Sequence, residues 1–186
     1  MDTALLLIDI QNDYFPGGKM ELMGAEQAGE NAGKLLSACR DLSVPVIHIQ
    51  HFSLRPGSTF FIPDTPGVDI HSSVTPLPEE IVLRKHYPNS FRGTELEMVL
   101  KEKDINRLIV AGMMTHMCVD TTVRAAFDLG FDCTLIHDAC ATRDLVWNDQ
   151  MVSAQQVQSA YMAALGSVFS KVLNTAEMVK KIREGF

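Results

Sequence analysis

The chain alternates short apolar runs with longer segments whose apolar residues recur at helical spacing. Six runs predict strands, at 3–10, 44–51, 80–85, 106–113, 132–139 and 170–175. Helical spacing predicts helices at 25–42, 95–104, 116–129, 152–166 and 176–184. Strands that alternate with helices favour a parallel sheet covered on both faces. The predicted fold is α/β, a single-domain three-layer α/β/α sandwich spanning residues 1–186.

One long segment breaks this alternation. Residues 52–79 are rich in Pro, Gly, Ser and Thr and carry no regular apolar spacing. Structureless connections of this length inside a compact domain are usually functional or disordered. We expect this one to take part in function.

Three side chains with complementary chemistry end or follow the predicted strands. Asp9 ends the first strand, Lys85 ends the third, and Cys118 lies on the first turn of the helix after the fourth. Ligands bind at the carboxyl ends of strands in open α/β sheets. A helix N-terminus and an ammonium favour a thiolate, and a carboxylate can carry its proton to a leaving group. Taken alone, Cys118 would be a small core residue, and the sequence only allows these groups to meet.

Three blocks of the sequence carry a resemblance. They read "DIQND" at 9–13, "LRKHYPNSFRGTEL" at 83–96 and "VAGMMTHMCVDTTVRAAFDLGF" at 110–131. In this order and spacing they resemble the signature blocks of the isochorismatase-like cysteine hydrolases. The resemblance implies a mostly parallel, six-stranded, Rossmann-like sheet of order 3-2-1-4-5-6. It also implies a catalytic triad of Cys118 as nucleophile, Asp9 as general base and Lys85 as assisting cation.

The same resemblance implies the finer parts of the site. A non-proline cis peptide is expected between Met113 and Met114, and the backbone N–H groups of Met114 and Cys118 are expected to form an oxyanion hole. The implied reaction is hydrolysis of the C–N bond of a small carboxamide through a thioester on Cys118, without an organic cofactor. Residues near the strand ends are candidate pocket walls, with core packing an equal interpretation for most of them: Gln11, Phe15, Phe52, Tyr87, Phe91 and Thr115.

Other functions stay open at this point. The isochorismatase branch of the family cleaves a vinyl ether, although its members often lack the cysteine that is retained here. The nicotinamidase branch carries a zinc or iron site after its second strand. His48, His51 and His71 are candidate ligands here, but their spacing matches no known site, so no metal is assigned. A thiol redox sensor, with Cys140 as resolving partner, is a non-enzymatic alternative.

Composition narrows the partners and the location. The 186 residues carry a formal net charge of −7 and no long basic run. Nucleic acids and anionic membranes reward Lys/Arg clusters, so neither is expected as a partner. The four cysteines are widely spaced, which favours reduced thiols and a cytoplasmic location. From the resemblance, we expect a homo-oligomer, a dimer or larger.

Overall fold

The computed structural model describes residues 2–185 of the chain. The strands are β1 Thr3–Ile8, β2 Val46–His51, β3 Ile81–Lys85, β4 Arg107–Met113, β5 Asp132–Ala141, β6 Leu145–Trp147, β7 Gln150–Val152 and β8 Lys171–Leu173. Six of them form one sheet of order β3-β2-β1-β4-β5-β8, and every neighbouring pair in it is parallel. The predicted α/β sandwich and strand order are confirmed, with β8 as the sixth predicted strand.

Five helices cover the two faces of this sheet. They are α1 Ala25–Asp41, α2 Leu96–Glu102, α3 Asp120–Asp128, α4 Ala154–Val168 and α5 Thr175–Glu184. Helices α1 and α5 contribute to one core layer, and α2, α3 and α4 contribute to the other. The helices therefore lie where a parallel sheet requires them, because its crossover connections run over its faces.

The central strand β1 shows why a continuous apolar run forms the middle of the sheet. All six of its residues are buried. Side chains alternate across a strand, so Leu5 and Leu7 enter one core layer while Leu6 and Ile8 enter the other. Burying both faces removes a large apolar area from water. The carboxyl end of β1 is thereby fixed between β2 and β4.

A short hairpin was not predicted from the apolar pattern. Strands β6 and β7 pair antiparallel around Asn148 and Asp149, which both have positive φ, 48° and 58°. Asn and Asp tolerate this conformation, which two-residue hairpin turns need. The hairpin residues are mostly exposed, so burial left no signal in the sequence.

No helix within residues 2–185 is long and apolar enough to cross a membrane.

Gly112 lets β4 lie close to β1. Its φ is 145°, and a Cβ at this position would collide with the carbonyl oxygen of Ile8. The pairing of β4 with β5 is also irregular between Val110 and Gly112. Gly112 precedes Met113, the last residue of β4, so this close approach sets where the strand delivers the following turn.

We predict that Gly112→Ala lowers the free energy of unfolding by about 3 kcal/mol or more, since it adds a backbone clash to an unfavourable φ. Gly130→Ala is the matched control. Gly130 also has positive φ, 90°, but nothing lies near the added Cβ, so about 1 kcal/mol is expected. Urea unfolding of both variants measures the difference. Equal losses would show that the contact with Ile8 does not matter.

Candidate active site

Three elements bring Asp9, Lys85 and Cys118 together at the carboxyl edge of the sheet. Asp9 directly follows β1, Lys85 is the last residue of β3, and Cys118 lies in the turn after β4. All three are buried, with 0%, 0% and 6% of their surfaces exposed. The parallel topology explains the meeting, because the carboxyl ends of neighbouring strands share one edge.

The Lys85 ammonium is the centre of this group. Its Nζ lies 2.6 Å from Asp9 Oδ2, 2.9 Å from His51 Nδ1 and 3.2 Å from Cys118 Sγ. It also lies 3.1 Å from the carbonyl oxygen of Tyr87. An ammonium has three protons, so these four acceptors compete for them. Burial lowers the pKa of Lys85, but the neighbouring Asp9 and Cys118 outweigh it and raise the pKa above the usual value.

His51 faces this ammonium as a neutral acceptor. Burial lowers the pKa of His51 to about 4, and the positive Lys85 adds to the lowering while Asp9 opposes it. An ammonium can only donate, so Nδ1 carries no proton and Nε2 carries the N–H. Nε2 has no hydrogen-bond partner among residues 2–185, and His51 lines the adjacent cavity. His51 therefore offers that cavity an N–H donor.

Asp9 has a left-handed backbone conformation and an unpaired carboxylate oxygen. Its φ is 52°, so the chain leaves the extended region at Asp9 and β1 ends at Ile8 rather than at residue 10. Asp is among the residues that tolerate this region. Oδ2 faces Lys85, whereas Oδ1 is buried without a hydrogen-bond donor among the described residues. A carboxylate oxygen of Asp9 lies within 4.8 Å of Cys118 Sγ.

Cys118 does not lie on the first turn of an ordinary helix. Residues Thr115–Val119 form a π-helical turn, and α3 begins only at Asp120. Burial raises the pKa of the Cys118 thiol, and the Asp9 carboxylate raises it further, against the opposing effect of Lys85. This direction runs against the expected low-pKa thiolate, because desolvation outweighs the cation.

The turn before Cys118 contains the expected cis peptide. The peptide bond between Met113 and Met114 is cis. The carbonyl oxygen of Met114 accepts hydrogen bonds from the N–H groups of Met117 and Val119. Both Met114 and Cys118 line the cavity.

A cavity of about 230 Å³ opens above the Cys118 sulfur. Its aromatic wall is formed by Tyr14, Phe60 and Phe61, and its polar wall by His51, Ser53, Arg55, Ser58 and His86. Pro88, Met114, Met117 and Cys118 complete it. This volume is below the range of drug-sized ligand sites, which indicates a small substrate.

Two of the expected pocket residues are buried and form hydrogen bonds within the protein instead. Gln11 is fully buried; its Nε2 donates to the carbonyl oxygens of His51 and Val68, and its Oε1 accepts from the N–H of His51. Thr115 is also fully buried, and its hydroxyl lies 2.7 Å from Gln158 Oε1. Neither lines the cavity. Gln11 acts on the site indirectly, because it fixes the end of β2 where His51 lies.

The four expected aromatic residues also lie outside the cavity wall. Phe15 stacks on His71 at 3.5 Å between ring centres, and Phe91 stacks on Phe131 in the core. The guanidinium groups of Arg84 and Arg92 cover Phe52 and Tyr87 respectively. Each of the four rings packs against a partner of its own. Tyr87 contributes through its carbonyl oxygen instead, which accepts from Lys85.

The residues that do form the aromatic wall were not singled out from the sequence. Tyr14 directly follows the "DIQND" block and is 1% exposed. Burial is the main reason that its pKa is raised well above the usual value. Phe61 lies in the irregular segment and has a φ of 55°. Asp13 holds this wall in place, because its carboxylate accepts from the N–H of Phe61 at 2.6 Å and from that of Lys19 at 3.1 Å. The second aspartate of "DIQND" was the available signal.

The histidines do not form a metal site. His48 lies 2.9 Å from Glu80, and His71 contacts Ser73, so neither joins His51. Among residues 2–185, Asp9, His51 and Cys118 form one potential ligand group. The Lys85 ammonium already lies 2.6, 2.9 and 3.2 Å from their ligand atoms. A metal there would have to displace a buried cation, so the residues present do not fit one.

Comparisons with known proteins identify the family of this chain. A family model described as Isochorismatase domain matches residues 3–177. The uncharacterized isochorismatase family protein YddQ of Bacillus subtilis is 50% identical over 180 residues, covering 97% of this chain and 100% of YddQ. The crystal structure of a cysteine hydrolase from Pseudomonas syringae pv. phaseolicola matches with a TM-score of 0.93 at 26% identity, covering 100% of this chain and 94% of that one. This chain belongs to the isochorismatase family and is a hydrolase.

Two further relatives have names that state a reaction. Streptothricin hydrolase of Streptomyces noursei is 35% identical over 142 residues, which are 76% of this chain and 50% of that protein. Ureidoacrylate amidohydrolase RutB of Cronobacter sakazakii is 26% identical over 170 residues, covering 74% of this chain and 73% of RutB. The relatives therefore include an amidohydrolase.

We predict opposite effects of the two charged neighbours on Cys118. Asp9→Asn removes the charge that raises the thiol pKa, so alkylation by iodoacetamide at neutral pH accelerates about tenfold, the effect of one pKa unit. Lys85→Gln removes the stabilising cation and slows it. Peptide mass spectrometry across a pH series measures both rates, with buried Cys39 as the internal control. Slower alkylation in Asp9→Asn would contradict this electrostatic arrangement.

Proposed function

We propose that this protein is a cysteine-dependent amidohydrolase that cleaves the C–N bond of a small carboxamide through a thioester on Cys118. One observation carries the proposal. A single buried ammonium, that of Lys85, contacts both the Asp9 carboxylate and the Cys118 sulfur beneath a small cavity. A nucleophile, a base and a cation in contact are the groups that acyl transfer requires.

In the first half-reaction, Asp9 accepts the thiol proton while Sγ of Cys118 attacks the carbonyl carbon. The carbonyl oxygen becomes an oxyanion, which the N–H groups of Met114 and Cys118 bind. The C–N bond then breaks, and protonated Asp9 returns its proton to the leaving nitrogen. Ammonia or an amine departs, and the acyl group stays on Cys118 as a thioester.

In the second half-reaction, Asp9 accepts a proton from water as the water oxygen attacks the thioester carbon. The C–S bond breaks, the carboxylic acid leaves, and the sulfur regains a proton from Asp9. Lys85 stays an ammonium throughout, because its raised pKa opposes deprotonation. Its charge stabilises the sulfur as negative charge develops there.

The raised thiol pKa supports this sequence of steps. A resting thiolate would need no base, whereas a protonated thiol beside a carboxylate needs one within reach. The unpaired Oδ1 of Asp9 has the capacity to accept that proton. Retention of both residues favours amide hydrolysis over vinyl-ether cleavage, which requires no thiol. A redox sensor is disfavoured because burial raises the pKa of Cys140, its candidate partner, to about 12.

We also propose that the working form is a homo-oligomer. The β6–β7 hairpin exposes 70% of Val146, 75% of Trp147 and 70% of Met151. Contiguous exposed apolar residues of this kind are typical of protein contacts.

The proposal predicts that the protein releases ammonia from small aliphatic carboxamides. A coupled glutamate dehydrogenase assay measures this release. Cys118→Ala and Asp9→Asn should each lower kcat by about a thousandfold or more, since the residues act as one unit. Cys133→Ala, which removes a buried thiol at the start of β5, is the matched control and should retain activity. Full activity in Cys118→Ala would rule out the thioester route.

A further inference from the structure

Arg55 is a cation in the cavity wall without a counter-charge. Its guanidinium makes no hydrogen bond or ion pair with any residue among 2–185, and its side chain is exposed to the cavity. No Asp or Glu lies among the residues that line this cavity. The positive charge of Arg55 acts on His51, where it is one of the effects that lower the pKa.

The remaining titratable groups of the reaction site do not neutralise this charge. Asp9 and Lys85 form a buried ion pair with no net charge. Burial raises the pKa of the Cys118 thiol and lowers that of His51 to about 4. Asp13 and Arg143 act on Tyr14 with opposite effects on its pKa. Arg55 therefore contributes a positive charge to a cavity whose lining holds no carboxylate.

Hydrogen bonds hold the segment that carries Arg55 in place. The N–H of Ser53 donates to the carbonyl oxygen of Phe61 at 2.9 Å and closes the base of a loop between them. Within it, both the N–H and the hydroxyl of Ser58 donate to the carbonyl oxygen of Arg55. Asp13 fixes the far end through Phe61. The loop thus holds a guanidinium beside the cavity, where a planar fork suits a carboxylate.

We propose that the substrate is a small amide that also bears a carboxylate, and that Arg55 binds this carboxylate while Cys118 attacks the amide carbon. The amide half rests on the proposed function, whereas the recognition of an anion does not. A cleft with one sign of charge and low-dielectric walls concentrates ligands of the opposite sign. The hydroxyl group of Ser53 in the same wall offers a further donor to a carboxylate.

Two alkylating reagents of nearly equal size test the charge of the cavity without any knowledge of the substrate. Iodoacetate is an anion and iodoacetamide is neutral, and both react with Cys118. The measured quantity is the ratio of their rates at Cys118. In Arg55→Gln the ratio should fall about fivefold or more, while Arg55→Lys should retain most of it. Arg183→Gln, an exposed arginine of α5, is the matched control for net charge.

An unchanged ratio in Arg55→Gln, or an equal fall in Arg183→Gln, would overturn the proposal. The second measurement is calorimetric binding of succinamate and of neutral butyramide to Cys118→Ala protein. Succinamate should bind more tightly, and the additional Arg55→Gln change should remove the difference. Equal binding of the two amides, or no binding of either at millimolar concentration, would also overturn it.

These outcomes separate the two proposals. An anion preference that depends on Arg55, in a protein that releases no ammonia from any amide, would refute the amidohydrolase and keep the anion site. Ammonia release that requires Cys118 but shows no difference between succinamate and butyramide would keep the amidohydrolase and refute the anion site. Hydrolysis of both amides with a lower KM for succinamate, raised about tenfold in Arg55→Gln, supports both proposals together.

Discussion

A fully buried ammonium must find its partners in the protein, and the site is organised around this requirement. The Lys85 side chain is 0% exposed, and an unpaired charge at such a position would be very costly. Its partners come from the ends of β1 and β2 and from the turn after β4. The order of strands that places β1 between β2 and β4 is what allows these groups to meet.

The same burial determines the direction in which the pKa of the Cys118 thiol shifts. A cation beside sulfur would lower its pKa in water, yet here desolvation and the Asp9 charge raise it. A carboxylate oxygen of Asp9 lies within 4.8 Å of this sulfur. A raised thiol pKa lowers the fraction of thiolate, which is the form that reacts with oxidants. His51 belongs to this balance, since a second cation there would oppose Lys85.

The fold and the reactive residues were accessible from the sequence for definite reasons. The apolar runs reported the buried strands, and Asp9, Lys85 and Cys118 were recognisable as strand-end residues with complementary chemistry. The cavity wall was not accessible in this way. Tyr14, Arg55 and Phe61 occupy irregular chain whose path depends on hydrogen bonds to Asp13, and no periodicity encodes such a path. The six expected wall residues include Phe15 and Phe91, whose rings pack against partners distant in sequence.

The most direct test of the central claim is the mass of the peptide that carries Cys118 during turnover. An amide substrate is mixed with the enzyme, quenched in acid before the reaction is complete, and digested for mass spectrometry. The account predicts that this peptide gains the mass of the acyl group, and that hydroxylamine removes the gain as the corresponding hydroxamate. Ammonia release with an unmodified Cys118 peptide, retained in Cys118→Ala, would contradict it, because water would then attack the amide directly.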